Sequence, residues 1–418
     1  MNYEYYGNSN IYEVNVRQYT REGNFEAFEQ HLSRLQKMGI AILWFMPVTP
    51  ISELNRKGTL GSYYSASDYR SVNPEFGDLN SFKKLVTHAH SIGFKVIIDW
   101  VANHTGWDHI WTKTNPDYYQ RNDHGQFTER NGWEDVIDLD YNNPEMRQSL
   151  IECMKFWVNE AKIDGFRCDM AMLVPLDFWK DAKTQLDKIK SLIWLGECED
   201  LPYFEVFDII YSWEWMHTTR HIATGKLNKY SLSELISKYL NKTPPSRRFL
   251  FFTSNHDENS WNGTEYERYG DYASFYALLS VLMQNGIPLI YSGQELPLYK
   301  RLQFFDKDEI AWSEGEPKVS EFYSKALAVR KNFSNHLKYE FNSCSQSEYI
   351  FTMKIEDTIN NRILILFANL SQSVCEFNFQ LNRSQEYRNV FSDELIWINT
   401  ENQMRLEGTE YRLYQSVD

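Results

Sequence analysis

The sequence contains no long apolar run. Across its 418 residues, no stretch approaches the ~20 apolar residues that a membrane-spanning helix requires. Residues 1–6 also lack the basic and then apolar pattern of a secretory signal peptide. We therefore expect no membrane partner and a cytoplasmic location; the alternative is an exported protein from which the signal peptide has been removed.

Cysteine is scarce, and its spacing forms no motif. The five cysteines include no CxxC pair and leave an odd one over. This usage favours a reducing compartment over a disulfide scaffold, and it gives no zinc signature. The cysteines are Cys153, Cys168, Cys198, Cys344 and Cys375.

Positive charge is in the minority. The formal net charge is −14, and a chain of this sign is repelled by nucleic-acid phosphates and by anionic membrane surfaces. We therefore expect no nucleic-acid partner. Solubility alone is a sufficient explanation of the charge, and the composition leaves the oligomeric state open.

Apolar strands alternate with amphipathic helices through the first three quarters of the chain. This pattern is typical of parallel βα units, and eight such units close into a (β/α)8 barrel. The predicted strands span residues 11–16, 41–46, 95–99, 165–169, 192–197, 206–210, 249–254 and 289–292. The predicted helices span residues 25–38, 80–92, 144–161, 175–189, 271–284 and 319–331.

Two departures from this alternation predict the domain organisation. The connection over residues 104–143 is too long for a plain βα loop, which predicts a small inserted domain after the third strand. After residue 333 the apolar pattern changes to period two, as in residues 349–355, 362–370 and 374–379. We predict a barrel over 1–103 and 144–334, and a C-terminal antiparallel β-sandwich over 335–418.

The segment Gly165-Phe166-Arg167-Cys168-Asp169 carries two charged residues on an apolar strand. Side chains alternate along a strand, so Arg167 and Asp169 point to the same side. The opposite charge is expected to lower the pKa of Asp169 and keep it ionised. Two explanations fit this segment alone, a structural ion pair and a nucleophile held as a carboxylate.

Two further carboxyls follow predicted strands. Glu197 ends the fifth strand and Asp257 follows the seventh. Loops at the C-terminal ends of barrel strands converge, so we expect these two and Asp169 to face one cavity. The apolar run 192–196 is expected to desolvate Glu197 and raise its pKa, whereas Asp169 stays ionised beside Arg167. Two carboxyls with different pKa values form an acid and a nucleophile.

Six segments form a series along nearly the whole chain. In chain order they are Gly61-Ser62-Tyr63-Tyr64, Asp99-Trp100-Val101-Ala102-Asn103-His104, Gly165-Phe166-Arg167-Cys168-Asp169, Gly196-Glu197, Ser254-Asn255-His256-Asp257 and residues 286–295. Each is weak alone, and their combination and order give the series its specificity. Together they resemble the α-amylase family of retaining glycoside hydrolases, glycoside hydrolase family 13.

The resemblance implies roles for seven residues. Its implied catalytic groups are the nucleophile Asp169, the general acid and base Glu197, and the transition-state stabiliser Asp257. Its implied substrate-binding groups are His104, Arg167 and His256, which hydrogen-bond the sugar at the cleavage point, and Tyr64, which stacks beneath it. Asp99 is expected to anchor Arg167 or a neighbouring loop, in preference to contacting substrate.

The implied activity is that of a retaining α-glucan hydrolase. It would cleave α-1,4-glucosidic bonds in starch, glycogen or maltooligosaccharides through a covalent glucosyl-enzyme intermediate. The alternatives within the enzyme class are a 4-α-glucanotransferase and a maltooligosaccharide-acting α-glucosidase. The alternative from another class is an inactive glucan-binding protein on an amylase scaffold, which would have no need of all three acids.

The chain departs from the family pattern at Met172-Leu173 and at Glu199. Met172-Leu173 stands where many starch-degrading members carry a Lys-His pair, which removes a contact to the sugar and one of the usual calcium ligands. Asn103 matches another common calcium ligand, so the sequence predicts no required cofactor and leaves Ca²⁺ open as an alternative. Glu199 is unusual and is expected to shape the acceptor side.

Aromatic residues make up 16% of the chain. Aromatic rings stack on the apolar faces of sugars, but large cores use them as well. For four tryptophans in the predicted loops, both explanations stay open: Trp107, Trp111, Trp133 and Trp261.

Overall fold

The core of the protein is a closed barrel of eight parallel strands. The computed structural model describes residues 8–312, 317–334 and 336–417. Around the barrel the strand order is β1-β10-β9-β8-β7-β6-β3-β2, which confirms the predicted (β/α)8 fold. The predicted domain limits at residues 1, 335 and 418 lie outside the described residues, and the other limits stay predictions.

The barrel strands match the predicted ones in number and in order, with ends that shift by a few residues. The predicted strand 11–16 is too long, because the chain turns into a short helix at Val16. Strands β4 and β5 belong to the long third connection. In chain order the strands are β1 (Ile11–Val14), β2 (Ile42–Phe45), β3 (Lys95–Val101), β4 (His104–Gly106), β5 (Val136–Asp138), β6 (Gly165–Asp169), β7 (Ile193–Gly196), β8 (Ile209–Tyr211), β9 (Arg248–Phe251) and β10 (Gly286–Tyr291).

The helices differ from the prediction in two ways. The predicted helix 25–38 is two helices, because the chain breaks at Gln30 and His31. The α-helices are α1 (Val16–Tyr19), α2 (Phe25–Glu29), α3 (Leu32–Met38), α4 (Leu79–Ser91), α5 (Ile110–Thr114), α6 (Pro144–Glu160), α7 (Leu176–Leu186), α8 (Trp213–Ala223), α9 (Lys229–Lys242), α10 (Glu265–Tyr269), α11 (Ala273–Leu282) and α12 (Pro317–Lys331). Five of these helices were not predicted: α8 and α9 between β8 and β9, and the short helices α1, α5 and α10.

The barrel strands are buried on both faces, and alternate residues serve two separate cores. In β7, Ile193 and Leu195 point into the barrel, whereas Trp194 points outward to the helices. Full burial of one such side chain contributes about 1.5–3 kcal/mol. The same alternation sends every second residue near the C-terminal end of each strand into the mouth of the barrel.

The third connection folds over that mouth. Strands β4 and β5 pair antiparallel, with His104 opposite Asp138. The Tyr69 hydroxyl donates to the carbonyl oxygens of Val101 (2.8 Å) and His104 (3.1 Å). These bonds fix the point where the chain leaves β3, and they hold His104 at the rim of the barrel.

The C-terminal part is antiparallel, as predicted. A six-stranded sheet in the order β11-β12-β13-β18-β15-β16 faces a two-stranded sheet of β14 and β17. In β13, Ile365 and Phe367 pack between these sheets, whereas Leu364 and Leu366 join the core that surrounds the barrel. The strands are β11 (Leu337–Phe341), β12 (Ile350–Asp357), β13 (Arg362–Asn369), β14 (Cys375–Gln380), β15 (Gln385–Asn389), β16 (Leu395–Ile398), β17 (Glu401–Leu406) and β18 (Tyr411–Ser416).

Among residues 8–312, 317–334 and 336–417, no helix has both the length and the apolar character needed to span a bilayer.

Gly165 opens the strand that carries Arg167 and Asp169, and its missing side chain is a packing requirement. A Cβ at this position would lie 2.0 Å from the backbone oxygen of Ile193 on the neighbouring strand. Since that atom belongs to the backbone, the two strands would have to separate. Gly165 therefore lets β6 and β7 approach closely enough to pair.

We expect Gly165→Ala to lower the Tm substantially, because overpacking in a closed barrel destabilises by about 3 kcal/mol or more when backbone must move. The control is Gly125→Ala, since Gly125 has a φ of +76° but no neighbour within 4 Å. Backbone strain alone costs about 1 kcal/mol. Thermal unfolding followed by circular dichroism compares the two. Equal Tm values would contradict the packing requirement.

Candidate active site

One cavity of about 480 Å³ opens at the C-terminal ends of the barrel strands. Asp169 ends β6, Glu197 follows β7, and Asp257 follows β9 after a short connection. All three acids line the cavity, as predicted. The remaining lining residues are Lys57, Ser62, Tyr64, His104, Trp133, Asp135, Val136, Met170, His256, Trp261, Phe304 and Phe305.

Arg167 lies beneath the acids and holds three carboxyls. Its Nη1 is 3.0 Å from Asp99 Oδ1 and 2.8 Å from Asp169 Oδ1, and its Nη2 is 2.8 Å from Glu197 Oε2. Its Nε donates to the Tyr211 hydroxyl at 3.2 Å. The side chain is fully buried and is not among the cavity-lining residues. The geometry therefore supports Arg167 as a positioning residue and does not support the implied contact with sugar.

Asp99 also lies below the cavity. Its Oδ2 accepts hydrogen bonds from Trp44 Nε1 and from the Tyr64 hydroxyl, both at 3.1 Å. Together with the Arg167 ion pair, these contacts confirm the expected anchoring role of Asp99.

The pKa of Asp169 was predicted in the wrong direction. Burial and the nearby Asp99 raise its pKa to about 6, because together they outweigh the attraction of Arg167. At pH 7 this carboxyl is still mainly ionised. The predicted direction for Glu197 is confirmed, since burial raises its pKa to about 7 against the pull of Arg167.

Glu197 is held through one of its two oxygens. Its Oε2 accepts from the Met170 backbone N–H at 2.7 Å, in addition to its contact with Arg167. Met170 has a φ of +40°, a strained conformation for a residue with a side chain. This left-handed conformation turns the chain sharply after β6, so that the Met170 N–H points toward Glu197. The acid thus has a fixed position on the Met170 side of the cavity.

His256 connects Asp257 to the barrel interior. Its Nδ1 is 2.5 Å from Glu13 Oε1, and its Nε2 is 2.7 Å from the Tyr64 hydroxyl and 3.3 Å from Asp257 Oδ2. Burial opposes the charged ring, but the two neighbouring carboxylates raise the pKa of His256 well above its usual value. The imidazolium in turn lowers the pKa of Asp257, although burial acts in the opposite direction.

Glu13 and Tyr211 are parts of this arrangement that the sequence analysis missed. The sequence pattern could have identified Glu13, because it is a carboxyl two residues after Ile11 in an otherwise apolar strand segment. Its side chain is completely buried. Tyr211 lies at the end of β8 and has no comparable signal.

Tyr64 and His104 both line the cavity. The Tyr64 ring stacks on His256 with centroids 5.3 Å apart and an angle of 21°. His104 lies against Trp133, with ring centroids 5.4 Å apart. Burial lowers the pKa of His104 to about 4, so that its imidazole is neutral near pH 7. Both residues therefore lie in the same cavity as the three acids, in agreement with the sugar contacts that the resemblance implied.

The four tryptophans left open divide into two groups. Trp133 and Trp261 line the cavity. Trp111 is buried within the third connection, and Trp107 packs on the same core while its indole N–H donates to the Glu134 carbonyl.

Glu199 does not shape the cavity, contrary to the prediction. Its Oε1 accepts from the Tyr239 hydroxyl at 2.6 Å, and its Oε2 accepts from the Glu214 backbone N–H at 3.1 Å. The side chain therefore fixes helices α8 and α9 against the barrel. These two helices were missing from the prediction, so the partners of Glu199 could not be foreseen.

The surroundings of Asn103 do not fit a calcium ion. Ca²⁺ takes six to eight oxygen ligands. The buried Asp138 lies opposite the adjacent His104 in the strand pair, and Arg130 Nε is 2.8 Å from its Oδ2. The Asn103 amide nitrogen is 3.3 Å from His104 Nδ1. Among the described residues, no group of three or more His, Cys, Asp or Glu side chains could hold a metal ion.

Comparison with known proteins identifies the family to which this chain belongs. The family model for the alpha amylase catalytic domain matches residues 6–134 and 118–319. The chain therefore belongs to the alpha-amylase family of glycoside hydrolases, as the resemblance implied.

Particular relatives extend this result. The maltogenic alpha-amylase AmyB from Thermotoga neapolitana superposes with a TM-score of 0.89, at 28% identity over 98% of this chain and 99% of its own. An alpha-amylase from Lactobacillus plantarum gives a TM-score of 0.86, also at 28% identity, over 98% of this chain and 99% of its own. The sequence is 26% identical over 337 residues to alpha-amylase MalA of Haloarcula japonica, which covers 77% of this chain and 48% of that protein. The chain spans about half the length of the first curated relatives it matches.

We expect a bell-shaped pH dependence of kcat/KM. The rate should rise as the pH increases through about 6, because the nucleophilic role that the resemblance implies for Asp169 requires its carboxylate. It should fall above about 7, because the implied acid role of Glu197 requires its proton. Initial rates on maltotriose from pH 4 to 9 measure the profile, whose two limbs belong to the coupled pair. A rate that stays constant up to pH 9 would contradict the assignment of Glu197.

Proposed function

We propose that this protein is a retaining α-glucan hydrolase that cleaves α-1,4-glucosidic bonds in maltooligosaccharides, starch or glycogen. The supporting observation is that Asp169 and Glu197 are each held at 2.8 Å by adjacent nitrogens of Arg167. One planar guanidinium keeps two carboxyls close together. This favours the ~5 Å separation of retaining glycosidases over the wider ~6.5–9.5 Å separation of inverting ones.

In the first step, the Asp169 carboxylate attacks the anomeric carbon while Glu197 gives its proton to the departing glycosidic oxygen. The glycosidic bond breaks, and a covalent glucosyl ester forms on Asp169. In the second step, Glu197 takes a proton from water, and the resulting hydroxide oxygen attacks the same carbon. The ester bond breaks, the sugar leaves with its original configuration, and both carboxyls return to their starting states.

Asp257 has a different task. Its carboxylate is ionised by the charge of His256, and its side chain is 43% exposed to the cavity. It can accept hydrogen bonds from sugar hydroxyls, which become stronger as positive charge develops on the ring. Tyr64 presents its ring to the sugar, and the neutral His104 donates or accepts a hydrogen bond at the rim.

The names of the relatives support an α-glucan as the substrate. They include a neopullulanase from Thermoactinomyces vulgaris and a cyclomaltodextrin glucanotransferase from a Bacillus species, which align over 81% and 90% of this chain. The second name favours 4-α-glucanotransferase as the alternative. The products formed from maltoheptaose distinguish the two activities. If every product is shorter than maltoheptaose, the reaction is hydrolysis. If some products are longer than maltoheptaose, the reaction is transfer.

The two acids are tested by substitution. We expect Asp169→Asn to keep the fold, as judged by circular dichroism, and to retain less than about a thousandth of the wild-type rate, because no nucleophile remains. The exposed Asp271→Asn serves as the control for the charge change. A rate above this limit would remove Asp169 from its role.

Glu197→Gln cannot donate a proton. Because kcat/KM reports the first step, we expect kcat/KM to fall far more on starch than on 4-nitrophenyl α-glucoside, whose leaving group departs without protonation. Equal losses on both substrates would contradict the acid role of Glu197.

The proposed reaction needs no cofactor, since the carboxyls supply both proton transfer and the nucleophile. In place of a cation, Arg130 provides the positive charge beside Asp138. We expect EDTA to change neither the Tm nor the rate, whereas Arg130→Ala lowers the Tm because it leaves a buried carboxylate without its partner. A Tm that falls with EDTA and returns with Ca²⁺ would overturn this proposal.

A further inference from the structure

A second cavity lies in the C-terminal part of the protein. It has a volume of about 310 Å³ and shares no lining residue with the active-site cavity. Ile363 and Ile365 line it, whereas Leu364 and Leu366 on the other face of the same strand pack toward the barrel. The cavity therefore opens on the face of the six-stranded sheet that points away from the barrel. The mechanism described above does not use it.

The cavity exists because the two sheets of the C-terminal part differ in width. Strands β14 and β17 cover one part of the six-stranded sheet, where Phe379 packs on Phe367 with ring centroids 4.7 Å apart. The cavity opens beside this contact, over β11, β12 and β13, and the connection between β14 and β15 forms part of its wall. Small-molecule sites begin at about 300 Å³, so the volume suits a small ligand or a short segment of a longer one.

Cross-strand pairing builds the floor of this cavity. Directly opposed residues on antiparallel strands point to the same face of a sheet. One row across β11, β12 and β13 consists of Glu340, Lys354 and Ile365, and the neighbouring row includes Glu356 and Ile363. The floor therefore combines charged groups with the apolar side chains of two isoleucines.

Lys354 lies between the two acids of the floor. Its side chain is only 12% exposed, and its Nζ is 3.4 Å from Glu340 Oε1 and 3.6 Å from Glu356 Oε2. An ammonium group has three N–H donors, and the hydrogen bond to Glu340 uses one of them. The carboxylates hold the ammonium group in place and present acceptor oxygens. This part of the floor can therefore both donate and accept hydrogen bonds.

The connection from β14 to β15 contributes a second cation. Arg383 is exposed at the cavity and makes no ion pair or hydrogen bond within the described part of the chain. Backbone bonds fix this connection, since the Gln380 N–H donates to the Cys344 carbonyl at 3.0 Å and the Leu381 N–H donates to the Thr400 carbonyl at 2.9 Å. A wall that is fixed before binding loses little conformational entropy when a ligand arrives.

The balance of charge around the cavity indicates the class of ligand. The lining carries two acidic and two basic side chains, Glu340, Glu356, Lys354 and Arg383. An anionic ligand would meet the two carboxylates, and a cationic ligand would meet the two cations, which disfavours both. A neutral ligand rich in hydroxyl groups avoids this repulsion. Its hydroxyls can pair with the donors and acceptors, while its apolar C–H faces lie on the two isoleucines.

We propose that this cavity, here called the sheet cavity (Glu340, Lys354, Glu356, Ile363, Ile365 and Arg383), binds a short segment of a neutral glucan and thereby keeps a polymeric substrate on the protein. The identity of the ligand rests on the proposed function. A second binding site on the same chain raises the local concentration of a polymer at the first, because the second binding event becomes intramolecular. A trisaccharide, which fills one site at a time, gains no such advantage.

Affinity electrophoresis tests the binding. Native gels that contain increasing concentrations of glycogen give an apparent Kd from the mobility of the full chain, and Asp169→Asn in every protein prevents digestion of the glycogen. Arg383→Ala combined with Lys354→Met should raise this Kd about tenfold, which corresponds to ~1.4 kcal/mol. Arg383→Ala alone should change the Kd in the same direction.

The matched control is Arg388→Ala. Arg388 is also exposed, but it does not line the sheet cavity, so its removal should leave the Kd unchanged. The Tm of each variant is measured by circular dichroism. Because Glu340 and Glu356 are 47% and 42% exposed, water can solvate them without Lys354, and we expect little change in Tm. If Lys354→Met lowers the Tm, Arg383→Ala alone decides. An unchanged Kd in that variant and in the double variant would overturn the proposal.

Turnover separates this inference from the proposed function. In the double variant with Asp169 intact, kcat/KM on glycogen should fall, whereas kcat/KM on maltotriose should keep its wild-type value. An unchanged kcat/KM on glycogen would overturn the role of the sheet cavity in keeping polymer on the protein. Absence of hydrolysis in the wild type, together with glycogen binding that depends on Arg383 and Lys354, would contradict the proposed function and leave the sheet cavity supported.

Discussion

A single buried guanidinium organises the mouth of this barrel. Arg167 pairs with Asp99, Asp169 and Glu197, and all four side chains are largely buried. Because an unpaired buried charge is strongly unfavourable, each member keeps the others in place. Negative charge still exceeds positive charge in this cluster. Burial and mutual repulsion therefore raise the pKa of Glu197 to about 7, into the range that proton transfer near neutral pH requires.

The geometry of the barrel brings the charged side chains of this cluster together. Residues of one parity on each strand point inward, so Glu13, Asp99, Arg167 and Asp169 continue the inward-facing rows that begin with residues such as Ile11 and Ile97. Below them the rows are apolar. The third connection covers the cluster with His104 and Trp133. The strands thus position and desolvate the charged groups, and the loops control how a ligand reaches them.

Sequence patterns predicted the barrel, the three acids and their convergence, because these follow from strand periodicity and from the direction of parallel strands. The partners of Glu199 required helices whose place in the fold was not predicted. The pKa of Asp169 required knowing how deeply it is buried and that Asp99 shares Arg167. Glu13 could have been found by following the inward parity of β1. The rings of Phe304 and Phe305 carry no local signal, since only the loop contacts bring them to the cavity.

The central claim is that Asp169 and Glu197 work in two displacements at one carbon. The configuration of the first product tests it most directly. Proton NMR of maltotriose hydrolysis, recorded before mutarotation equilibrates the anomers, should show the α-anomer at the newly formed reducing end. Initial release of the β-anomer would mean a single displacement by water and would contradict the assignment of Asp169 as the nucleophile.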